Sequence, residues 1–460
     1  MALIPPADAM FLLGESREHP MHVGGLHIFQ VPEGAGDNYV GDFYHSLLKY
    51  TDIRRRLKLR PHAPVSTLGY VMWGEDPDVD LEYHVRLSAL PRPGRVRELL
   101  ETVSRLHGGL LDRHRPMWEF YLIEGLEGGR FATYTKLHHS LYDGVGATAL
   151  MSGSLSADPT GLDCRPFWAA TDEDSTSRGA ADDVAGGLRS IAKSLGKVTE
   201  TIGTAAGLAA SIARMATQTS DPDLAAPFSA PRTILNTPIT GGRRFAADAW
   251  PLARLKQAGA SVGATLNDVV LAMCAGALRR YLHELDALPA KPLVASVPVS
   301  LRGMPGAGED GNAVGLVSCS LATHVEDPHQ RMAAIRASMD KAKTELSRQG
   351  AAQNLLLTST LGSAAMLLSV PGLVSITPPM TNLVISNVPG PRKPLYWNGA
   401  KLEGTYPLSI PVEGQALNIT VLSYAGNLHF GLTGCRTNLP HLQRLLGHLE
   451  ESLTELEEEA

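Results

Sequence analysis

The sequence predicts an α/β protein built as two domains. Three observations lead there. The chain has 460 residues, more than one hydrophobic core of ordinary size accommodates. Apolar residues make up 44% and charged residues 19%, the balance of a globular chain with much to bury. Strand-like and helix-like segments interleave along both halves.

In the first half, "MHVGGLHIFQV" and "MWEFYLIEGL" are strand-like, and "RFATYTK" reads as another strand. "GDFYHSLLKY", "RVRELLETVSRLHGGLL" and "GVGATALMSG" are helix-like. After Pro166 the composition changes. Thr171–Asp183 is polar and acidic with no apolar period, which predicts a surface loop. Leu188, Ile191, Leu195, Val198 and Ile202 then recur at helical spacing. Arg189, Lys193 and Lys197 lie off that stripe, so the helix suits either an anionic membrane surface or the protein's own body. A Pro- and Thr-rich stretch around Ala226–Gly241 connects to the second half. The expected divisions are therefore residues 1–166, a crossover at 167–241, and 242–460.

The second half repeats the alternation. "TLNDVVLAMCAGALRRYLHEL" predicts a long helix, with Val269, Val270, Met273, Ala277, Leu278 and Leu282 in register. "PLVASVPVSLR" and "GLVSCSLATH" predict strands, and a helix begins near Asp327. "TNLVISNVPGP" and "QALNITVLSYAGNLHFGLTGCR" are later strands, the second pair turning at Gly426-Asn427. A closing helix starts near Pro440.

Composition also excludes. A net charge of −6 argues against nucleic acid as the main partner. The densest basic run, Asp52–Arg60, reads as a solvated helix face. Four scattered cysteines with no C-x-x-C exclude a zinc ribbon or a thioredoxin-type site and fit a reducing compartment. The N-terminus lacks the pattern of a signal peptide. Gly350–Pro391 carries no charge, but prolines, glutamine and asparagines interrupt it before it reaches the roughly 18 residues of a span. It is expected to be deeply buried.

Chemistry concentrates in "TKLHHSLYDGVGATAL", Thr135–Leu150. "GVGATA" fits G-x-G-x-x-A formally, but no acidic strand end follows about 20 residues on, as a dinucleotide site requires. Adjacent His138 and His139 point to opposite sides of a strand and cannot easily share one metal ion. The same alternation sends one imidazole into a cleft and the other back into its own domain. Asp143 is near enough to fold back and fix the loop, and Gly144 and Gly146 keep it tight. These are the parts of a positioned general base; a pair of structural histidines is the plainer alternative.

"HHSLYDG" resembles the HHxxxDG motif of the CoA-dependent acyltransferase superfamily, which includes chloramphenicol acetyltransferase and peptide-synthetase condensation domains. The N-terminal "PADAMFLLGESREHPMHVGGL", "RPMWEFYLIEGL", "TLNDVVLAMCAGALRRYL", "SVPVSLR", "GNAVGLV", "NLVISNVPGP" and "ALNITVLSYAGNLHFGLTGCR" are similar, in order, to bacterial wax ester synthase/acyl-CoA:diacylglycerol acyltransferases. The resemblance implies two chloramphenicol-acetyltransferase-like domains, mixed sheets flanked by helices, with an active-site tunnel between them. It implies acyl-CoA as co-substrate, a long-chain alcohol or diacylglycerol as acceptor, and no bound cofactor, metal or nucleic acid. It implies a cytoplasmic protein held peripherally at the inner membrane or lipid droplets, with the Leu188–Ile202 helix as one contact.

The same resemblance makes His139 the general base and His138 its support. Asp143 is expected to position the loop, with Arg302 as a partner. Oxyanion donors are expected from backbone near Gly144 and from Asn267, although Asn267-Asp268 equally suits a helix cap. Gly362, Ala364 and Ala365 are small enough to leave room for an acyl chain. Pro116 and Trp118 match a family motif, with a core role expected for Trp118. Transfer to another acceptor, or lipid binding by an inactive site, are the competing functions.

Overall fold

The computed structural model describes residues 2–62, 72–171, 228–260, 262–300, 314–349, 374 and 377–458. The chain forms two compact units, and they are not contiguous in sequence. The first takes Met1–Ser211 and recovers Gly390–Leu408; the second takes Ile212–Pro389 and Ser409–Ala460. The helix expected at Leu188–Ile202 lies outside the described residues.

The first unit begins with β1 (Ala2–Leu3), α1 (Pro6–Gly14), β2 (His22–Gln30), α2 (Tyr39–Leu47), β3 (Leu59–His62) and β4 (Met72–Glu75). It continues with α3 (Leu81–His84), β5 (Val85–Ala89), α4 (Val96–Gly108), β6 (Trp118–Leu126), β7 (Arg130–His138) and α5 (Gly144–Ser152). The second unit supplies β8 (Arg243–Pro251), α6 (Leu252–Ala260), α7 (Leu266–Glu284), β9 (Val294–Ser300), β10 (Val314–Ser320), α8 (Pro328–Gln349) and β11 (Leu383–Val388). The chain returns to the first unit for β12 (Tyr396–Trp397) and β13 (Ala400–Leu408), then closes the second with β14 (Leu417–Tyr424), β15 (Asn427–Cys435) and α9 (Arg444–Glu458).

Each unit holds a six-stranded mixed sheet. The first runs β12-β13-β2-β7-β6-β5 and is antiparallel except at β5/β6. The second runs β10-β9-β11-β14-β15-β8, with β11 parallel to both its neighbours. β1, β4 and β3 make a small separate sheet.

Local sequence explains most of these elements. α7 starts on a capping box, in which the Thr265 hydroxyl accepts from Asp268 N–H while the Asp268 carboxylate accepts from Thr265 N–H at 2.9 Å. The expected cap therefore belongs to Thr265, and Asn267 is not the N-cap. The β14/β15 turn is Ala425-Gly426, one residue earlier than the Gly426-Asn427 reading, because Tyr424 pairs with Asn427. Both turn residues have positive φ, 44° and 87°, as a two-residue I′ hairpin demands. Asp52–Arg60 is not one helix face: a 3-10 turn at Arg55–Lys58 leads straight into β3, with Leu57 buried.

The first core is aromatic. Phe29 stacks on Phe131 at 5.2 Å, and Trp397, brought back by the return segment, lies 5.0 Å from Phe43. Trp118 is fully buried, donates to Leu57 O at 2.8 Å and stacks on His84, which is the core role expected of it. The second core is mainly aliphatic and centres on α7, buried from Val269 to Leu278.

Candidate active site

β7 ends at His138, and the next five residues lead into α5. The turn is local: Leu141 N–H and Tyr142 N–H both donate to His138 O. Asp143 is the N-cap of α5, its Oδ1 accepting from Gly146 N–H at 2.6 Å. A Cβ at Gly146 would sit 2.9 Å from that carboxylate oxygen, so a larger residue would push on the cap. The helix's first N–H groups, at Gly144 and Val145, are among those no intrahelical carbonyl can reach. The structure thus gives Asp143 a loop-fixing geometry through a backbone N–H. Arg302, its expected partner, lies outside the described residues, as do Gly362, Ala364 and Ala365.

The two histidines diverge. His138 is fully buried. Its Nδ1 accepts from Ser140 N–H at 3.2 Å and lies 2.6 Å from Ser140 Oγ. A backbone donor at Nδ1 puts the ring proton on Nε2. Nε2 stands 3.5 Å from Glu15 Oε1. Burial alone would raise the Glu15 carboxyl, but His138, Met21 N–H and Arg113 together hold it below the ordinary range. Arg113 donates to Glu15 Oε2 through two nitrogens, each at 3.0 Å, and to Leu12 O.

His139 is half-buried, and its N–H is anchored on Met21 O at 2.9 Å. Its ring stacks on Phe11 with centroids 4.0 Å apart and planes 22° from parallel. Burial pushes the imidazole down to about 4, although Asp143 and a bond to its own main chain pull it up. It is therefore neutral at pH 7 and able to accept a proton.

Sequence reading missed Phe11, Glu15, Arg113 and Ser140. The N-terminal block that holds Phe11 and Glu15 shows only a short apolar run, and its partners lie about a hundred residues on. The one available signal is the spacing of Asp8, Phe11 and Glu15 at helical intervals. Asn267 is half-buried in the second unit, at the second position of α7. Among the described residues, no group of three His, Cys, Asp or Glu side chains could hold a metal ion, and the four cysteines are free.

The comparisons decide the family. Residues 4–270 match the wax ester synthase/diacylglycerol acyltransferase catalytic domain, and 310–457 match the C-terminal domain of the same family. The chain belongs to that family. The probable diacylglycerol O-acyltransferase Tgs2 of Mycobacterium tuberculosis is 50% identical over 459 residues, covering 100% of this chain and 99% of the relative. The O-acyltransferase WSD of Acinetobacter baylyi is 40% identical, covering 98% and 96%. A solved wax ester synthase/diacylglycerol acyltransferase from Marinobacter aquaeolei VT8 superposes with a TM-score of 0.79 at 42% identity, covering 100% of this chain and 99% of that one. The first condensation domain of the calcium-dependent antibiotic synthetase shares the fold, with a TM-score of 0.55 at 17% identity. The chain is thus an acyltransferase with the two-unit α/β fold expected from its motif.

Proposed function

We propose that this acyltransferase moves a fatty acyl group from acyl-CoA to the hydroxyl of a long-chain alcohol or diacylglycerol, with His139 as the general base. The observation that carries this is a half-buried, neutral imidazole beside the open first turn of α5, in a chain of this family. The alcohol gives its proton to His139 as its oxygen attacks the thioester carbonyl. The tetrahedral oxyanion is met by N–H groups at the start of α5, near Gly144, with the Asn267 amide as a second proposed donor. When the carbon–sulfur bond breaks, His139 returns the proton to the departing CoA sulfur. No acyl-enzyme is required, so Ser140 and the cysteines have no nucleophilic part. His138 supports from behind, its tautomer set by Ser140 and its outer nitrogen turned to Glu15.

No helix among the described residues is long and apolar enough to cross a membrane. Both proposed substrates are greasy, so we place the reaction at a membrane or lipid-droplet surface that the protein meets peripherally.

The test is free-thiol release from palmitoyl-CoA with hexadecanol or dioleoylglycerol, wild type against His139→Ala. The expected result is acceptor-dependent release that falls by about 10²- to 10⁴-fold in the variant. Release with neither acceptor sinks the substrate assignment; release that survives the substitution removes His139 as base. The ratio of the two acceptor rates names the main product.

A further inference from the structure

We propose that one face of α1 is the positioning surface of the HHxxxDG segment, and that Phe11 is the residue that orients His139.

Asp8, Phe11 and Glu15 are three and four residues apart, so they share one side of a helix and its C-cap. Each meets a different part of the motif. Glu15 faces the His138 ring, Phe11 stacks on His139, and Asp8 lies close enough to Asp143 for the two carboxylates to repel. The helix therefore reads the motif in reverse order, residue against residue. Arg56 completes the far end: it stands near Asp8, and its guanidinium lies 4.7 Å over the Tyr142 ring.

The helix is itself fixed to the segment it positions. Leu12 packs in one cluster with Leu111, Met117 and Leu141, while Arg113 grips both Leu12 O and Glu15. Phe11 is the member that bears on catalysis most directly. An imidazole beyond a strand end can rotate about two side-chain bonds. A flat ring 4.0 Å away removes most of that freedom and keeps water from one face. The charged groups that act on His139 are Asp143 and His138 on its own segment, and Asp8, beside Arg56, bears on Asp143 in turn.

This inference rests on His139 as base only for its kinetic arm. The test uses the full chain with ¹³C-labelled histidine, the His139 ring signal being assigned by its loss in His139→Gln. Wild type, Phe11→Tyr, Phe11→Leu and Phe11→Ala are titrated and assayed, with Leu13→Ala, exposed on the same helix, as control. In Phe11→Ala the ring-current shift should vanish and the titration midpoint should climb towards 6.5. Its kcat should fall about tenfold or more at little changed KM, the mark of lost orientation. Phe11→Tyr should restore both readings, and Leu13→Ala should move neither. If Phe11→Ala does not fold, Phe11→Leu keeps the apolar volume without the flat ring: the ring-current shift should vanish and kcat should fall in the same way, while the midpoint stays low because the burial is kept. An unchanged signal and midpoint overturn the stacking role. A moved midpoint at unchanged kcat overturns the catalytic one. Activity that survives His139→Ala, with the signal still responding to Phe11, removes the base assignment and leaves the ring contact standing.

Discussion

β7 and β15 occupy matching places in the two sheets and differ in how much polarity they bury. Each has nine residues, follows its hairpin partner, and is buried along all but its first residue. β15 buries Leu428, Phe430 and Leu432, with His429 and Thr433 as its buried polar side chains. β7 buries Phe131, Tyr134 and Leu137 too, but adds Thr133, Thr135, a charged Lys136 and His138. Lys136 donates to Leu106 O and Gly109 O at the end of α4, and its Nζ lies 3.5 Å from Glu119 Oε2. Burial pushes its ammonium below the ordinary lysine range, against the pull of Glu119. Buried polar groups are costly unless bonded, so a strand needed only as scaffold would resemble β15. The strand with the buried charge is the one that leads into the histidine pair. The second unit repeats the frame, and the first carries the motif on it.

The largest break in that comparison comes from Lys136→Met. It removes the ammonium from a carboxylate whose side chain is only 7% exposed and frees two helix-end carbonyls. Arg86 and Tyr121 still reach Glu119, so the loss should be about 3 kcal/mol, the low end for a broken buried pair. Four of the five tryptophans, Trp73, Trp118, Trp168 and Trp397, belong to the first unit, so tryptophan fluorescence in urea reads that unit almost alone. A change below about 1 kcal/mol would show that β7's polar burial is as inert as an exposed pair.

A smaller effect is read on His139 by pH. Unfolded His139 takes its proton near 6.5, while burial holds the folded ring down to about 4. Between those values the unfolded chain binds more protons, so this group makes folding more favourable as pH rises through the window and less so as pH falls. The catalytic sign is the reverse of an ordinary histidine's handicap: the base form persists well below pH 6.5. The acid limb of kcat/KM should therefore lie between about 4 and 5. A limb at 6.5 would mean that the free site is wetter than the Phe11 stack and its surroundings make it.

The motif was legible because its chemistry is local. His138, His139, Asp143 and Gly146 lie within one short stretch of chain, and β7 and α5 flank them as their periodicities predict. What was not legible is what depends on distant partners. Glu15 and Arg113 are 98 positions apart, and neither carries a mark of the other. The return of β13 to pair with β2 is the same kind of fact, since a strand's pattern records its burial and not its neighbour. Two misreadings were avoidable or nearly so. The Thr265–Asp268 box was available in the sequence as a cap. The Ala425-Gly426 turn was hidden because alanine rarely takes positive φ.

The smallest test asks whether hydroxyls on the two strands do the same work. Thr433 on β15 is fully buried, and its Oγ1 accepts from Ser409 N–H at 3.3 Å. Thr135 on β7 is equally buried, and among the described residues its Oγ1 has no hydrogen-bond partner. Valine keeps the shape of threonine and deletes the hydroxyl. Thr433→Val removes the hydroxyl that accepts from Ser409 N–H and should cost about 1 kcal/mol, with acyl transfer unchanged. Thr135→Val deletes an unsatisfied group and should be neutral or stabilising by up to about 1 kcal/mol. Opposite signs in urea unfolding would sharpen the contrast, since β7 would then carry a polar group that its fold does not use. Equal losses would break it: Thr135 would be bonded in solution, and its hydroxyl would be ordinary scaffold like that of Thr433.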